Sequence, residues 1–335
     1  MGGVLYTGFK WSHHDNRAGY HNVVKDAEDY VDSGSIWGGK HPIGTFPRKL
    51  NIVLAELLTI ARALRYQAVF YIYPEVSALF FSAPLLKVMG KRVIYAQHRG
   101  EKYWDRSGSL FFKLKRYNLK FVNHFIVLST QQKSILEKHF PGKVSVIPHG
   151  IWLDSGIKLP VANGPPRLCV SGDNFRNYEL LREIIERFSV RFPQVGFDLI
   201  GMRYEKLGKT AEIPTVTCHP RLSPEEYAHI IGCSIFMLLP LHFATANNAL
   251  LEALALGVPV LCNRIDGVTD YLPSDAYLFD SVEQLCNMTE ERLAMSTKQR
   301  AAEAALIIAH VEQHYSWSVI RKRIDMLCLT GQIEC

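Results

Sequence analysis

Short apolar runs recur along the first half of the chain, and longer amphipathic stretches separate them. The runs are rich in β-branched and aromatic residues, which is typical of buried parallel strands. They are Val4 to Thr7, Ala68 to Tyr73, Arg92 to Ala96, His124 to Leu128 and Lys143 to Ile147. Between them, Leu50 to Leu64 and Gln131 to His139 have the apolar spacing of helices. The alternation predicts an α/β fold with a mainly parallel sheet.

The same alternation restarts after residues 154–166, a stretch with glycines, two adjacent prolines and no periodic pattern. Further strands are predicted at Arg167 to Ser171, Phe197 to Ile200, Val216 to Cys218, Ser234 to Leu239, Val258 to Cys262 and Ala276 to Phe279. Helices are predicted at Tyr178 to Phe192, from the capping box that Ser223 opens, and at Asn248 to Leu256. A chain of 335 residues exceeds the usual size of one core, so two domains joined by this linker are expected.

Composition favours an ordinary globular protein, with 48% apolar and 21% charged residues. The seven cysteines are odd in number and form no CxxC pair, so we expect reduced thiols and a cytoplasmic location. No export signal is visible at Met1 to Tyr6. The most apolar stretches, such as Ile230 to Leu241, are about a dozen residues long, short of the roughly 20 that span a bilayer.

Charge is unevenly distributed between the two halves. Residues 1–150 carry 21 Lys and Arg against 10 Asp and Glu, whereas the remainder carries 17 against 22. The first half is therefore basic and the second acidic, which suits an anionic surface, an acidic acceptor or a phosphate-bearing ligand without choosing among them.

The most informative segment runs from Leu239 to Val260. A predicted strand ends, a loop of small residues follows, and a helix begins near Asn247 and ends at Gly257. Free backbone N–H groups at such a helix start form an anion site, and the small residues would let a diphosphate approach. Glu252, about one turn into the helix, could accept hydrogen bonds from a ribose diol. The alternatives are a surface helix with a solvated Glu252, and an asparagine that only caps the helix.

This segment is similar to the GT-B glycosyltransferases, and in particular to the large GT4 family. Residues 251–260, with the sequence Leu-Glu-Ala-Leu-Ala-Leu-Gly-Val-Pro-Val, resemble a motif of their C-terminal domain. Residues 146–151 and 315–320 resemble the segment that leaves the N-terminal domain and the aromatic start of the last helix. The resemblance implies two facing Rossmann-like domains with a central cleft: residues 1–153 bind the acceptor, residues 167–312 bind a nucleotide sugar, and the helix in 313–335 returns to the first domain.

One departure from the family concerns the transferred sugar. These enzymes usually carry two glutamates seven residues apart, and the first falls on Ala244. In the family that carboxylate contacts hydroxyls of the transferred sugar. The resemblance implies a retaining mechanism, and the missing carboxylate leaves the sugar and the stereochemical outcome open.

The resemblance also implies a set of site residues. Arg176 stands where the family has a phosphate-binding lysine, Asp173 replaces an arginine, and Arg264 is a weaker candidate for a phosphate contact. The expected catalytic residues are His98, Arg176 and Glu252. The expected donor-binding residues are Gly19, Gly172, Asn174, Arg176, Ala246, Asn247, Asn248, Ala249 and Glu252.

On the acceptor side, His98 follows a predicted strand and could hydrogen-bond the sugar or phosphate, or remove a proton from the acceptor hydroxyl. A structural histidine is the alternative. The acceptor is expected to contact His13, His14 and Arg99, and Gly19 would let it approach the donor phosphates. The adjacent histidines have no third ligand at a suitable spacing, so neither a metal nor any other cofactor is expected.

The segment Lys91 to Lys120 contains nine basic residues interleaved with Tyr103, Trp104, Phe111 and Phe112. Cations with aromatic residues are typical of a surface that docks on an anionic membrane, so we expect peripheral contact with the inner face of the cytoplasmic membrane. An ordinary basic face with its aromatic residues in the core is the alternative. No nucleic-acid-binding motif accompanies the segment, and no nucleic-acid partner is expected.

These expectations add up to transfer of a hexose-like unit from a nucleotide sugar, with UDP as the expected nucleotide, to a lipid-linked or polysaccharide acceptor in cell-surface glycan synthesis. Two alternatives share the architecture: a nucleotide-sugar epimerase or hydrolase, and a non-catalytic protein that binds sugar nucleotides. An oxidoreductase is disfavoured because no Gly-x-Gly-x-x-Gly follows the first strand.

Overall fold

The computed structural model describes residues 3–10, 19–38, 41–42, 45–100, 110–153 and 164–332, of which 110–112 are described by their backbone alone. The chain divides into two compact units. Unit 1 consists of Met1–Gly150 and Trp317–Cys335, and unit 2 consists of Ile151–Ser316. Each unit contains one sheet of six parallel strands, which confirms the predicted α/β class.

The sheet of unit 1 has the strand order β2-β1-β3-β4-β5-β6. The strands are β1 (Val4–Gly8), β2 (Tyr30–Asp32), β3 (Ala68–Tyr71), β4 (Arg92–Gln97), β5 (His124–Val127) and β6 (Val144–Val146). Most of their residues are buried, as expected of a parallel sheet covered on both faces. The order reverses between β1 and β3, so this is the point where a ligand crevice is expected.

Six helices of the described residues cover the unit 1 sheet. They are α1 (Phe46–Ala63), α2 (Pro74–Ser77), α3 (Ser82–Val88), α4 (Leu110–Asn118), α5 (Thr130–Glu137) and α11 (Trp317–Thr330). The hydroxyl of Ser129 caps α5 by accepting from the Gln132 N–H, as the sequence predicts. The last helix, α11, packs on β1, β3 and β4, and Trp317 at its start is fully buried.

The sheet of unit 2 has the order β12-β11-β10-β7-β8-β9. The strands are β7 (Arg167–Ser171), β8 (Gly196–Ile200), β9 (Val216–His219), β10 (Met237–Leu239), β11 (Val260–Asn263) and β12 (Leu278–Phe279). Arg167 ties the first two strands together, because its guanidinium forms an ion pair with Asp198 at 2.6 Å. The order reverses between β7 and β10.

The helices of unit 2 lie on both faces of its sheet. They are α6 (Tyr178–Arg191), α7 (Pro224–Cys233), α8 (Asn248–Ala255), α9 (Val282–Ala294) and α10 (Thr297–Tyr315). Parallel crossovers are right-handed. Since α6 leads from β7 outward to β8, whereas α7 and α8 lead in the opposite direction, α6 lies on one face and α7 and α8 lie on the other.

The predicted strands and helices agree with these elements to within a few residues. Ser223 opens α7 with the predicted capping box, and Gly257 ends the α8 segment at φ +71°. Short 3-10 helices complete the described fold at Tyr20–Val23, Ala27–Asp29, Leu119–Phe121, Tyr204–Glu212, Thr269–Tyr271 and Asp275–Tyr277. Among the described helices, none combines the length and the apolar character that a membrane span requires.

Candidate active site

The loops that follow β7 and β10 meet at the carboxyl edge of the unit 2 sheet. Three backbone contacts join these loops. Arg176 forms an isolated antiparallel bridge with Leu241. The Asn177 N–H donates to the Pro240 carbonyl, and the His242 N–H donates to the Phe175 carbonyl, both at 2.9 Å. The strand order reverses here, which is where open parallel sheets bind ligands.

The start of α8 lies directly after this junction. Asn247 is the N-cap, and its side-chain oxygen accepts from the Leu250 N–H at 3.2 Å. This cap accounts for Asn247 without a ligand. The N–H groups of the first helical residues have no partner within a helix, so the backbone of Asn248 and Ala249 forms a positive helix end. Ala246, Asn248 and Ala249 are all half-buried at this end.

Glu252 is held by a chain of hydrogen bonds that crosses three elements. The hydroxyl of Tyr227, on α7, donates to Glu252 Oε2 at 2.8 Å. The same hydroxyl lies 3.0 Å from Ser171 Oγ at the end of β7, and because its proton goes to Glu252, Ser171 must be the donor. Burial, together with the charge of Glu252, raises the pKa of Tyr227 well above its usual value. The carboxylate of Glu252 is therefore fixed in direction.

Tyr227 was not among the residues that the sequence singled out. The capping box at Ser223 predicts where α7 begins, and Tyr227 comes one turn later. Its contact with Glu252 depends on how α7 and α8 pack together, which no local pattern reveals.

Arg176 lies at the predicted position but points inward. Its Nε and Nη2 atoms both donate to the Ser171 carbonyl, the former at 3.0 Å, and the side chain is buried. Burial lowers its pKa to about 10, so it stays a cation. Gly172 makes room for it, because a Cβ there would lie 3.3 Å from Arg176 Nη2. The Gly172 N–H itself donates to the Ile200 carbonyl at 2.9 Å.

A second guanidinium, that of Arg203, contacts the loop that follows β7. Arg203, half exposed after β8, pairs with Asp173 at 2.7 Å. Burial acts to raise the pKa of Asp173, but hydrogen bonds from Arg203 and Tyr178 hold it below its usual value. Asp173 thus anchors a cation from the neighbouring loop. Asn174 is exposed, and its carbonyl accepts from Arg176 at 3.4 Å.

Arg264, the weaker candidate for a phosphate contact, forms ion pairs with two aspartates of unit 2. It donates to Asp275 at 2.8 Å and to Asp280 at 3.0 Å, so two carboxylates offset its charge.

Ala244 is 4% exposed, and Gly267 packs so closely on it that a Cβ at Gly267 would lie 2.2 Å from the Ala244 carbonyl oxygen. Ala244 itself brings no carboxylate to this point of the loop.

His98 follows β4 in unit 1, and its ring packs against two tyrosine rings. Its ring is 4.1 Å from that of Tyr73 and 4.9 Å from that of Tyr20, measured between centroids. Its Nδ1 is 3.0 Å from the Ala96 carbonyl, which can only accept, so Nδ1 carries the proton. Burial lowers the pKa of His98 to about 3. A neutral ring of this kind is suited to accept a hydrogen bond at Nε2 rather than to hold a proton.

The loop that carries His98 is fixed by Glu75. One carboxylate oxygen of Glu75 accepts from the His98 N–H at 2.6 Å and from the Arg99 N–H at 2.9 Å. Burial raises the pKa of Glu75, whereas these hydrogen bonds and Lys115 act in the opposite direction. The Arg99 side chain is exposed beside this anchored backbone.

Lys115 corrects one expectation from the sequence. It was counted among the nine basic residues of a surface segment, but it is only 6% exposed. Its ammonium donates to the carbonyls of Pro74 at 2.7 Å and Ala78 at 2.8 Å, and burial lowers its pKa to about 8. Lys115 therefore braces the segment after β3 and faces no membrane.

Gly19 has φ +107°, a conformation that favours glycine, and its carbonyl accepts from the Asn22 N–H at 3.0 Å. His13 and His14 lie outside the described residues, as do Lys102, Tyr103, Trp104 and Arg106 of the basic segment.

One family of known proteins matches part of the chain. The sequence profile of the family described as "Glycosyl transferase-like" matches residues 176–325, which contain both Arg176 and Glu252. A search among curated protein sequences finds no match.

Solved structures resemble most of the chain at low sequence identity. Sucrose-phosphate synthase from Thermosynechococcus elongatus is 16% identical with a TM-score of 0.66, and the match covers 97% of this chain and 87% of that one. HepE from Anabaena, in complex with UDP and glucose, is 14% identical with a TM-score of 0.60 and coverage of 85% and 83%. An α,α-trehalose-phosphate synthase (UDP-forming) from Burkholderia vietnamiensis is 13% identical with a TM-score of 0.61 and coverage of 85% and 78%.

The protein has the GT-B fold. This confirms the predicted resemblance to GT-B glycosyltransferases and the two Rossmann-like domains. The family match lies on the unit that holds the β7–β10 junction, and it supports glycosyl transfer as the class of activity. Within this GT-B protein, the carboxyl edge of the unit 2 sheet is the candidate donor site.

Proposed function

We propose that this GT-B protein transfers a hexose-like unit from a UDP-sugar to a lipid-linked or polysaccharide acceptor in cell-surface glycan synthesis. The observation that carries the proposal is the fixed carboxylate of Glu252, held by Tyr227 one turn behind the start of α8. A carboxylate behind a positive helix end matches a nucleoside diphosphate, whose ribose hydroxyls donate and whose phosphates are anionic.

On the donor side, the start of α8 receives the diphosphate and Glu252 accepts hydrogen bonds from the ribose. Arg176 adds positive charge at the end of the sheet, which stabilises the nucleoside diphosphate as it leaves, and Asp173 holds the Arg203 guanidinium at the same edge. The choice of UDP is supported by the relatives, since HepE was determined with UDP and the trehalose-phosphate synthase is UDP-forming.

On the acceptor side, we assign His98 and Arg99 in unit 1. The protonated Nδ1 leaves Nε2 of His98 as an acceptor for a sugar hydroxyl, and burial suits it to that task better than to proton removal. His13 and His14 belong to the same proposal. We infer a retaining outcome from the family resemblance, although Ala244 removes one of the usual carboxylates.

We also propose a cytoplasmic protein that docks peripherally on the inner face of the cytoplasmic membrane through α4 and its flanks. Leu114 and Tyr117 are more than half exposed there, next to exposed Lys113, Arg116 and Lys120. The Lys120 ammonium lies 3.3 Å from the centroid of the Tyr117 ring. Cations beside exposed apolar side chains suit anionic head groups at the interface of a membrane.

Release of UDP tests the activity. The protein is incubated with UDP-glucose, UDP-galactose or UDP-N-acetylglucosamine, with and without lipid-linked glycan acceptors, and free UDP is measured. We expect release that depends on the acceptor and that falls at least tenfold in Glu252→Gln. Release without any acceptor would favour a hydrolase, and binding of donor without release would favour a non-catalytic binding protein.

A further inference from the structure

Phe175 is an outlier in the donor-side loop of unit 2. Its backbone has φ +58°, in the left-handed region that few residues other than glycine adopt, and its side chain is 63% exposed. Such a conformation costs roughly 1–2 kcal/mol in a residue with a Cβ. Most of the phenyl ring is nevertheless in contact with solvent.

The ring of Phe175 has a partner from the second loop of the site. Phe243 lies edge-to-face with it, with ring centroids 5.3 Å apart and planes at 73°. The loops that carry the two rings are fastened by the contacts between residues 175–177 and 240–242. The pair is therefore a rigid apolar surface at the β7–β10 junction, and we call it the aromatic pair.

Phe175 and Phe243 lie in the loops that precede α6 and α8, and Glu252 lies one turn into α8. Tyr227 and Glu252 belong to α7 and α8, whereas Phe175 precedes α6, which lies on the other face. Along the chain, the start of α8 lies between Phe243 and Glu252. A donor with its ribose at Glu252 and its diphosphate at the start of α8 therefore directs its sugar away from Glu252, toward the aromatic pair.

The residue after Phe243 offers no side-chain hydrogen bond to a sugar hydroxyl. Ala244, next to Phe243, is buried and carries no polar side-chain atom, and its carbonyl is covered by Gly267. Ala244 therefore adds no side-chain hydrogen bond to a sugar at this point, and the aromatic pair supplies apolar contact beside it.

We propose that Phe175 and Phe243 form the subsite for the transferred sugar and select a donor whose pyranose ring presents an apolar face to them. This inference rests on the proposed function and deepens it, because it names the chemistry by which the sugar is chosen. The left-handed backbone of Phe175 projects the ring into that subsite.

The test compares how UDP and UDP-sugars bind. Dissociation constants for UDP, UDP-glucose and UDP-N-acetylglucosamine are measured by calorimetry on the full chain and on Phe175→Gly, Phe175→Tyr and Phe243→Leu. Glycine suits φ +58°, so Phe175→Gly keeps the loop conformation while it removes the ring. Val190→Ala is the control, since Val190 is an exposed apolar residue on α6 of the same unit.

We expect Phe175→Gly and Phe243→Leu to weaken the best UDP-sugar about threefold to tenfold, the range of aromatic contacts, while UDP itself is unaffected. Phe175→Tyr should retain wild-type affinity for that donor. Equal losses for UDP and UDP-sugar would overturn the proposal, because the rings would then serve the nucleotide. Unchanged binding of both in Phe175→Gly would overturn it and leave the proposed function intact, whereas a folded wild-type protein that binds neither UDP nor UDP-sugar would overturn both.

Discussion

At the scale of single residues, Gly172 and Gly201 offer a direct comparison. They follow neighbouring strands of unit 2 and have φ +78° and φ +60°. A Cβ at Gly201 would meet nothing within 4 Å, whereas one at Gly172 would lie 3.3 Å from Arg176 Nη2. The positive φ favours glycine at both positions, but only at Gly172 does the missing Cβ also leave room for the Arg176 guanidinium.

We therefore predict that Gly172→Ala and Gly201→Ala cost similar stability, about 1 kcal/mol each from the left-handed backbone, by urea unfolding. Affinity for UDP should fall severalfold only in Gly172→Ala, because the added methyl displaces Arg176. Equal affinity of the two variants for UDP would contradict the claim that Gly172 seats Arg176 for the donor.

Some of the site residues could be placed from the sequence, and the environment of others could not. Glu252, Asn247 and Gly257 could be placed because a helix start and a helix end leave local signals. The inward turn of Arg176 and the burial of Lys115 could not be foreseen. Each depends on backbone carbonyls that tertiary packing brings into reach, and a charged residue in a sequence gives no sign of such partners.

At the scale of elements, Glu56 joins α1 to the segment before α3. Its buried carboxylate accepts hydrogen bonds from the N–H groups of Leu79, Phe80 and Ser82 and from the Ser82 hydroxyl. Phe80 has φ +70°, so these hydrogen bonds hold a segment that its own backbone preferences disfavour.

Glu56→Gln should destabilise the protein by about 2–4 kcal/mol, because an amide offers one acceptor oxygen and turns two N–H donors toward groups that also donate. The measurement is urea unfolding followed by circular dichroism. The control is Glu137→Gln, since Glu137 accepts a single exposed hydrogen bond from the Gly142 N–H. Equal losses in the two variants would contradict the role given to Glu56.

Most elements could be predicted from the sequence, and the exceptions are instructive. Strand β2 escaped prediction because Tyr30–Asp32 is three residues long and ends in an aspartate, so it shows neither an apolar run nor an alternation. Strand β11 begins at Val260 rather than Val258, because Gly257 and Pro259 first complete the exit from α8. Packing between α7 and α8, which creates the contact of Tyr227 with Glu252, has no signature in either helix.

At the scale of the whole molecule, buried histidines make unit 1 sensitive to acid. Burial lowers the pKa of both His98 and His149 to about 3. In the unfolded chain a histidine has a pKa near 6.5, so below that pH the unfolded state binds protons that the folded state does not. Stability should therefore fall as the pH decreases from about 6.5 toward 3.

Between pH 7 and pH 5 the expected loss is about 2 kcal/mol for each of these two histidines. Urea unfolding at the two pH values measures the loss. The ring protons of His98 and His149, followed by NMR, should not shift over this range in the folded protein. A titration of either ring with a midpoint near pH 6.5 would show that it is not buried as described.

The central claim is that the carboxyl edge of the unit 2 sheet binds a nucleoside diphosphate through Glu252. Its most direct test is a calorimetric titration of UDP into the wild-type protein, Glu252→Gln and Glu225→Gln, the last being an exposed glutamate in the first turn of α7. We predict that UDP binds the wild type and Glu225→Gln equally, and Glu252→Gln at least tenfold more weakly. Equal affinity of the wild type and Glu252→Gln for UDP, or no binding by a folded wild-type protein, would contradict the claim.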